Sequence, residues 1–523
     1  MTRIPQLIVV TWCLAAAALH AELKLPAIVG DHMVLQQQLA NPIWGWDTPG
    51  GKITVTFAGQ TKSATAGADG KWMLKLDPVP ANDKPQSIKI SDGTQTVNVA
   101  DVLVGEVWMC SGQSNMQFPL CSITPGGFGG DWNSDLEAAA AKLPNLRLIR
   151  VPNIGTQELQ DHFQGAWQAS TPETAASFSA VGFFFGRYLQ QILNVPVGLI
   201  DNSWGGSGAE AWVRRTSLEK DPRFAALMER TVKDEAIKQS PQAQTRYTAD
   251  LEKYQAAAAT AKAAGKTLSR KPNSPAEWLT GNKRPGNIFN GVVNPTRGYG
   301  IKGVVWYQGE SNTSQACEYA QLFSFLIDQW RKEWNQGDFP FYWVQLAGYK
   351  PQKSQPGESA WAELREAQTQ ALALPHTGQA VIIDLGEGNN IHPKNKHDVA
   401  ARLARWALAN DYGCKFPYRS PEFKSMESKA NKLLVTFDCF GSRLRTIDVA
   451  EANGFAVCGP DRAWHWAHGK LLAPDRVELT CSNVTNPVAV RYAWADHPVC
   501  NLTSLDGLPV TPFRSDKPAP PHK

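Results

Sequence analysis

The sequence predicts an α/β protein: a mostly parallel sheet with helices on both faces, flanked at each end by a β-rich region. Three observations carry this. Between about 103 and 414, nearly continuous apolar, β-branched runs alternate with long helix-like stretches, the pattern of strands covered on both faces. Residues 22–102 instead show short alternating runs broken by Gly, Pro, Asp and Asn, the mark of turn-connected strands. The alternating pattern returns over 415–514.

In the first region, Lys52–Phe57 and Trp72–Leu76 read as strands of a small β-sandwich-like domain. In the central region the expected strands are Val102–Met109, Leu146–Val151, Val195–Ile200, Gly303–Trp306, Phe339–Gln345 and Ala380–Asp384. The expected helices between them are Gly182–Leu193, Tyr319–Trp334, Ala360–Leu374 and Lys396–Asn410. Residues 216–283 interrupt this order; Ala249–Lys266 is rich in Ala and Lys without a strong apolar stripe and reads as a surface helical insertion. Lys432–Phe437, Arg476–Thr480 and Val488–Tyr492 are expected strands of the C-terminal domain. The proline-rich stretch 515–523 reads as a flexible tail.

Length and composition agree. A chain of 523 residues has room for roughly two to four domains. Charged residues are 19% and hydrophobic residues 43%, ordinary for a globular protein. The net charge is +4, too balanced for a nucleic-acid footprint. Nineteen Trp suit flat platforms for sugar rings as well as large aromatic cores.

Residues 1–21 read as a signal peptide: Arg3 precedes the apolar run Leu7–Leu19, and Ala21 ends it. The run is short of the ~20 apolar residues of a membrane span, and no later segment supplies one. The chain is therefore expected to be exported, periplasmic or secreted, with its mature start at Glu22. Eight cysteines follow that point, and an even number in an exported chain allows disulfides. Cys110, in an apolar strand, reads as a buried thiol.

Four polar loops follow apolar strands in the central region, and none falls in 22–102. In Gly105–Met116 (GEVWMCSGQSNM), Ser114 sits where a strand ends, exposed to a cleft, as a nucleophile needs; the alternative is a plain Ser/Asn turn. Met116 stands where the GxSxG elbow has glycine. In SWGGSGAEAW, Gly205 and Gly206 bring backbone N–H groups close to a ligand, and the spacing is not a dinucleotide fingerprint. In GVVWYQGESN, Gln308 and Asn312 carry amides, Glu310 can orient a histidine, and Ser311 or Asn312 also suits a helix cap. In Asp384–Ala407, His392 precedes Pro393 at the end of the last strand. His397 is its competitor, expected in the first helical turn and facing away.

Ser, Gly, amide and His in that order resemble the SGNH hydrolases. More narrowly, the GEVWMCSGQSNM, SWGGSGAEAW, VVWYQGESN and IHPKNK blocks, with VRYAWADHPVCNLTSLDGLPVTPFRSD near the C-terminus, resemble the sialate O-acetylesterases over nearly all of the chain. The resemblance implies an SGNH-type, flavodoxin-like three-layer domain over 103–414. It implies Ser114 as nucleophile and His392 as base, with an oxyanion hole from the Ser114 N–H, Gly205, Gly206 and an amide of Gln308 or Asn312. The usual acid position, three residues before the histidine, is Asn389. Resemblance to acetyl-carbohydrate esterases that use the Glu of this GES motif implies Glu310 as the triad acid, with Asp384 the alternative. No cofactor or metal is required. The implied partner is an O-acetylated carbohydrate, a sialic acid or related glycan, deacetylated through an acyl-enzyme. Acetylated xylan is the rival substrate, and a non-catalytic carbohydrate-binding protein the rival class.

Overall fold

A computed structural model describes residues 22–122, 124, 127–263, 271–472 and 474–516. The expected signal peptide lies outside these residues. The centre is a mixed sheet in the order 377–380, 341–344, 303–307, 96–112, 197–201, 143–150, 168–170. All neighbouring pairs are parallel except the last, where Gln168–Ser170 runs antiparallel to Leu143–Arg150.

Period-two alternation decides which side chains face which helices. Trp108, Cys110, Leu146, Leu148 and Val305 share one apolar cluster with the helices Ala180–Leu193 and Lys396–Asp411. Val107, Met109, Ile149, Val304 and Trp306 belong to another, with Ala316–Trp334 and Ala360–Gln370. Both faces are therefore apolar, which is why the strands read as continuous runs.

Thr96–Gly112 is one 17-residue strand. It crosses the expected 102/103 boundary, because Val104 and Gly105 still pair with Leu35 and Gln36 while Glu106 already pairs with Val197. Its first half pairs with Asn82–Ser91 and Val34–Gln36, its second half with Val197–Asp201 and Gly303–Tyr307. The N-terminal strands thus continue the central sheet, and only Pro42–Trp46 with Lys71–Lys75 forms a separate ladder.

The last central strand is Thr377–Ala380, not Ala380–Asp384. Val381 and Ile383, apolar and buried, leave the sheet to pack with Leu433, Val435, Phe455 and Val490 of the C-terminal region. That region carries two four-stranded sheets and a two-stranded one. Ser515 and Asp516, expected to open the tail, are held instead: Ser515 exchanges hydrogen bonds with Val490, and Asp516 pairs with Arg491 at 2.7 Å.

The segment expected as an insertion is helical, with Ala225–Gln239 and Pro241–Ala263 its longest elements. Glu235 pins it by accepting from both Arg215 and Arg284. No helix among the described residues is long and apolar enough to cross a membrane. The eight described cysteines are all free thiols, so the disulfides that their even number allows are not formed. Cys110 is fully buried, and burial raises its pKa.

Candidate active site

Every strand of the parallel set ends at one edge, and the four motif loops meet there. The strand Thr96–Gly112 passes directly into a short helix, Ser114–Gln117. Gly112 makes the turn possible. Its φ is +134°, and a Cβ there would lie 2.2 Å from the Tyr307 carbonyl oxygen, closer than any side chain allows. Gln113 N–H then donates to that same carbonyl at 2.8 Å. Ser179 ties the turn to the next helix: its Oγ donates to the Met116 carbonyl at 2.6 Å and accepts from Gly182 N–H at 3.0 Å.

Ser114 Oγ lies 2.8 Å from His392 Nε2. The loop holding His392 is fixed by Asn390, whose side chain bonds both the His392 N–H and its carbonyl. The imidazole packs against Phe118 and Phe128, with centroids 6.4 and 5.1 Å away. Burial first, then the nearby Lys396 charge, lowers the His392 pKa to about 4. The ring is therefore neutral near pH 7, able to accept a proton from the serine hydroxyl. His397 sits in the first turn of the following helix, as expected. It bonds Tyr188 Oη at 2.8 Å and pairs with Asp398, away from the serine.

The two acid candidates do not reach this ring. The histidine ion pairs among the described residues are His32–Asp101, His397–Asp398 and His468–Glu451; His392 makes none. Asp384 is taken by Arg402, which donates to its two oxygens at 2.6 Å each. Glu310 Oε1 accepts instead from Asn115 Nδ2 at 2.6 Å, and its Oε2 is buried without a partner. Burial raises its pKa; the Asn115 hydrogen bond and the Lys396 charge oppose that.

The oxyanion candidates also separate. Gly206 N–H and Ser114 N–H donate to no described acceptor. Gly205 N–H is already given to Gln117 Oε1 at 2.9 Å. Gln308 is wholly buried, and both amide hydrogens are spent, on the Ser207 carbonyl and on Asn312 Oδ1. Asn312 gives one amide hydrogen to Glu210 at 3.0 Å and keeps the other. Gln308 is thus support for Asn312 and not a donor to the cleft. Asn282, at the end of the helical insertion, donates to the Gly205 carbonyl and so braces the glycine loop.

Two residues within the quoted motifs were missed by sequence reasoning. Asn115 gives its amide hydrogens to Glu310 and to the Ile391 carbonyl (3.0 Å), and its Oδ1 accepts from Lys396 Nζ at 2.6 Å. Lys396 opens its helix and is completely buried. The available signal was its position: a cation at a helix N-terminus opposes the helix dipole.

Residues 273–408 match the carbohydrate esterase family described as sialic acid-specific acetylesterase. The mouse sialate O-acetylesterase is 30% identical, with 94% of each chain covered. The chain belongs to the sialate O-acetylesterase family. The human sialate O-acetylesterase is 29% identical over 94% of this chain and 92% of its own. A carbohydrate acetylesterase from Xanthomonas citri is 34% identical, covering 95% of this chain and all of that one, with a TM-score of 0.78. The family member described here is a carboxylic ester hydrolase.

Proposed function

We propose that the chain is an exported serine esterase that removes O-acetyl groups from sialic acids by Ser–His acyl transfer, releasing acetate. The 2.8 Å contact between Ser114 Oγ and His392 Nε2, at the carboxyl ends of the parallel strands, is the observation that supports it. Export rests on the pattern of residues 1–21. In this reading 22–102 is an N-terminal β-domain sharing the strand Thr96–Gly112 with an SGNH-type three-layer domain over 103–414, and 415–514 is a C-terminal β-domain.

His392 takes the Ser114 proton on Nε2 as Oγ attacks the acetyl carbonyl carbon. The Ser114 and Gly206 N–H groups, with the uncommitted amide hydrogen of Asn312, stabilise the oxyanion. The sugar alkoxide leaves with the proton from Nε2. Water then repeats the attack on the acyl-serine, His392 again serving as base, and acetate departs. Glu310 serves this cycle through Asn115, which it holds beside the nucleophile.

A broader substrate range is the second reading. It is favoured by the higher identity, 34%, to the Xanthomonas citri protein, described only as a carbohydrate acetylesterase. Acetate release from O-acetylated sialic acids and from acetylated xylan, measured side by side, separates the two. Release from xylan alone rejects the sialate assignment, and release from neither rejects both.

A further inference from the structure

Lys396 is an expensive residue to keep where it is. An ammonium taken out of water loses its hydration and destabilises the fold unless partners replace it. Its side chain is entirely inaccessible. It has one hydrogen bond, to Asn115 Oδ1 at 2.6 Å, and rests on the Phe118 and Tyr307 rings at 4.7 and 5.3 Å. Its own backbone N–H is held by Asp131 Oδ1 at 2.7 Å.

The single bond matters because of what Asn115 does next. Lys396 can only donate, and Glu310 and the Ile391 carbonyl accept from Asn115, so the amide has one orientation that satisfies all three partners. Asn115 follows Ser114 directly, and Ile391 directly precedes His392. One amide therefore joins the backbone of the nucleophile to the backbone of the base. Its oxygen end is locked by a cation and its nitrogen end by a carboxylate. Lys396 and Glu310 form no direct ion pair; the amide lies between them.

We propose that Lys396 is a positioning residue of the ester hydrolysis, its buried charge orienting Asn115 so that Ser114 and His392 stay in register. The inference rests on the Ser114–His392 reading above. Burial lowers the Lys396 pKa to about 7, and the nearby carboxylates Glu310, Asp131 and Glu387 oppose that by favouring its cationic form. The Lys396 charge also depresses the His392 pKa, second to burial.

The sign of the charge effect follows. A cation near the imidazole disfavours its protonation, so removing the cation raises the pH at which His392 loses its basic form. A purely packing role for Lys396 leaves that pH unchanged. The experiment measures kcat, KM and the acidic limb of kcat/KM for 4-nitrophenyl acetate in the wild type, Lys396→Met, Lys396→Arg and Asn115→Ala. For folded Lys396→Met, the expected result is a kcat loss of about tenfold or more, KM within about twofold, and an acidic limb moved up by about half a pH unit or more. Lys396→Arg restores the limb to its wild-type position. Asn115→Ala, which breaks the link but keeps the charge, lowers kcat with the limb unmoved. A folded Lys396→Met with unchanged kcat, or with an unmoved limb, overturns the proposal. If Lys396→Met does not fold, Asn115→Ala decides, and wild-type kcat in it overturns the proposal. A wild type without esterase activity, or an active Ser114→Ala, rejects the underlying function instead.

Discussion

Asn115 Nδ2 stands 2.6 Å from Glu310 Oε1, so the carboxylate expected to orient the histidine ring instead holds the amide beside Ser114. His392 has no carboxylate partner among the described residues, while Asp384 belongs to Arg402. The two acids therefore have different tasks, and substitution separates them.

Glu310→Gln is expected to slow acetate release by about tenfold to a hundredfold with little change in KM, since it weakens a charge-assisted hydrogen bond worth about 1.5–3 kcal/mol. Asp384→Asn is expected to act on stability, lowering the denaturation midpoint by an amount equivalent to about 1–3 kcal/mol with kcat near wild type. Steady-state kinetics and chemical denaturation on both proteins check this. The opposite order would return the acid role to Asp384.

Ser114→Ala should lose about six orders of magnitude in kcat, the usual result for a serine-hydrolase nucleophile, with an unchanged circular dichroism spectrum. Fluorophosphonate should label the wild type at Ser114 and leave the variant unlabelled.

The acid side of the pH profile carries a signature of the buried ring. In the proposed reaction His392 is a neutral base, and its pKa is lowered from 6.5 to about 4. Activity should therefore persist as pH falls through 6.5 and decline only towards about 4. A kcat/KM limb centred near the ordinary histidine value would mean that the ring is solvated or paired with a carboxylate during turnover.

Gly112→Ala should be poorly tolerated. The new Cβ would sit 2.2 Å from the Tyr307 carbonyl oxygen at a φ of +134°. Backbone strain alone costs about 1–3 kcal/mol, and the clash would push the paired strands apart below Ser114. Chemical denaturation measures the loss, and a denaturation midpoint equal to that of wild type would contradict the strand geometry.

The cysteines offer an independent check on the C-terminal region. All eight described thiols are free. Denatured protein beginning at Glu22 should titrate eight thiols without prior reduction, and a reductant should leave the melting temperature unchanged. Fewer thiols would reveal a disulfide.

How much of this was readable in the sequence depended on whether the property was local. Ser114 and His392 were legible as candidates because each lies in a polar loop after an apolar run, a pattern that neighbouring residues create; motif order and the family resemblance supplied their expected roles. The strand Gly303–Tyr307 was legible for the same reason. Thr377–Ala380 (TGQA) has no such pattern. It is a strand because Phe341–Val344 offers it an edge to pair with, whereas the more strand-like Val381–Ile383 is drawn away by the apolar C-terminal cluster.

The sequence by itself determined the α/β class and the strand-end loops that hold Ser114 and His392, because hydrophobic periodicity and turn chemistry act over a few residues. Only the tertiary structure decided the partners. Arg402 reaches Asp384 from the next helix, Gln308 spends its amide on Asn312, and Lys396 meets Asn115 across 281 residues. A buried charge or amide takes whichever complementary group the crossovers bring within about 3 Å, and no local pattern records that choice.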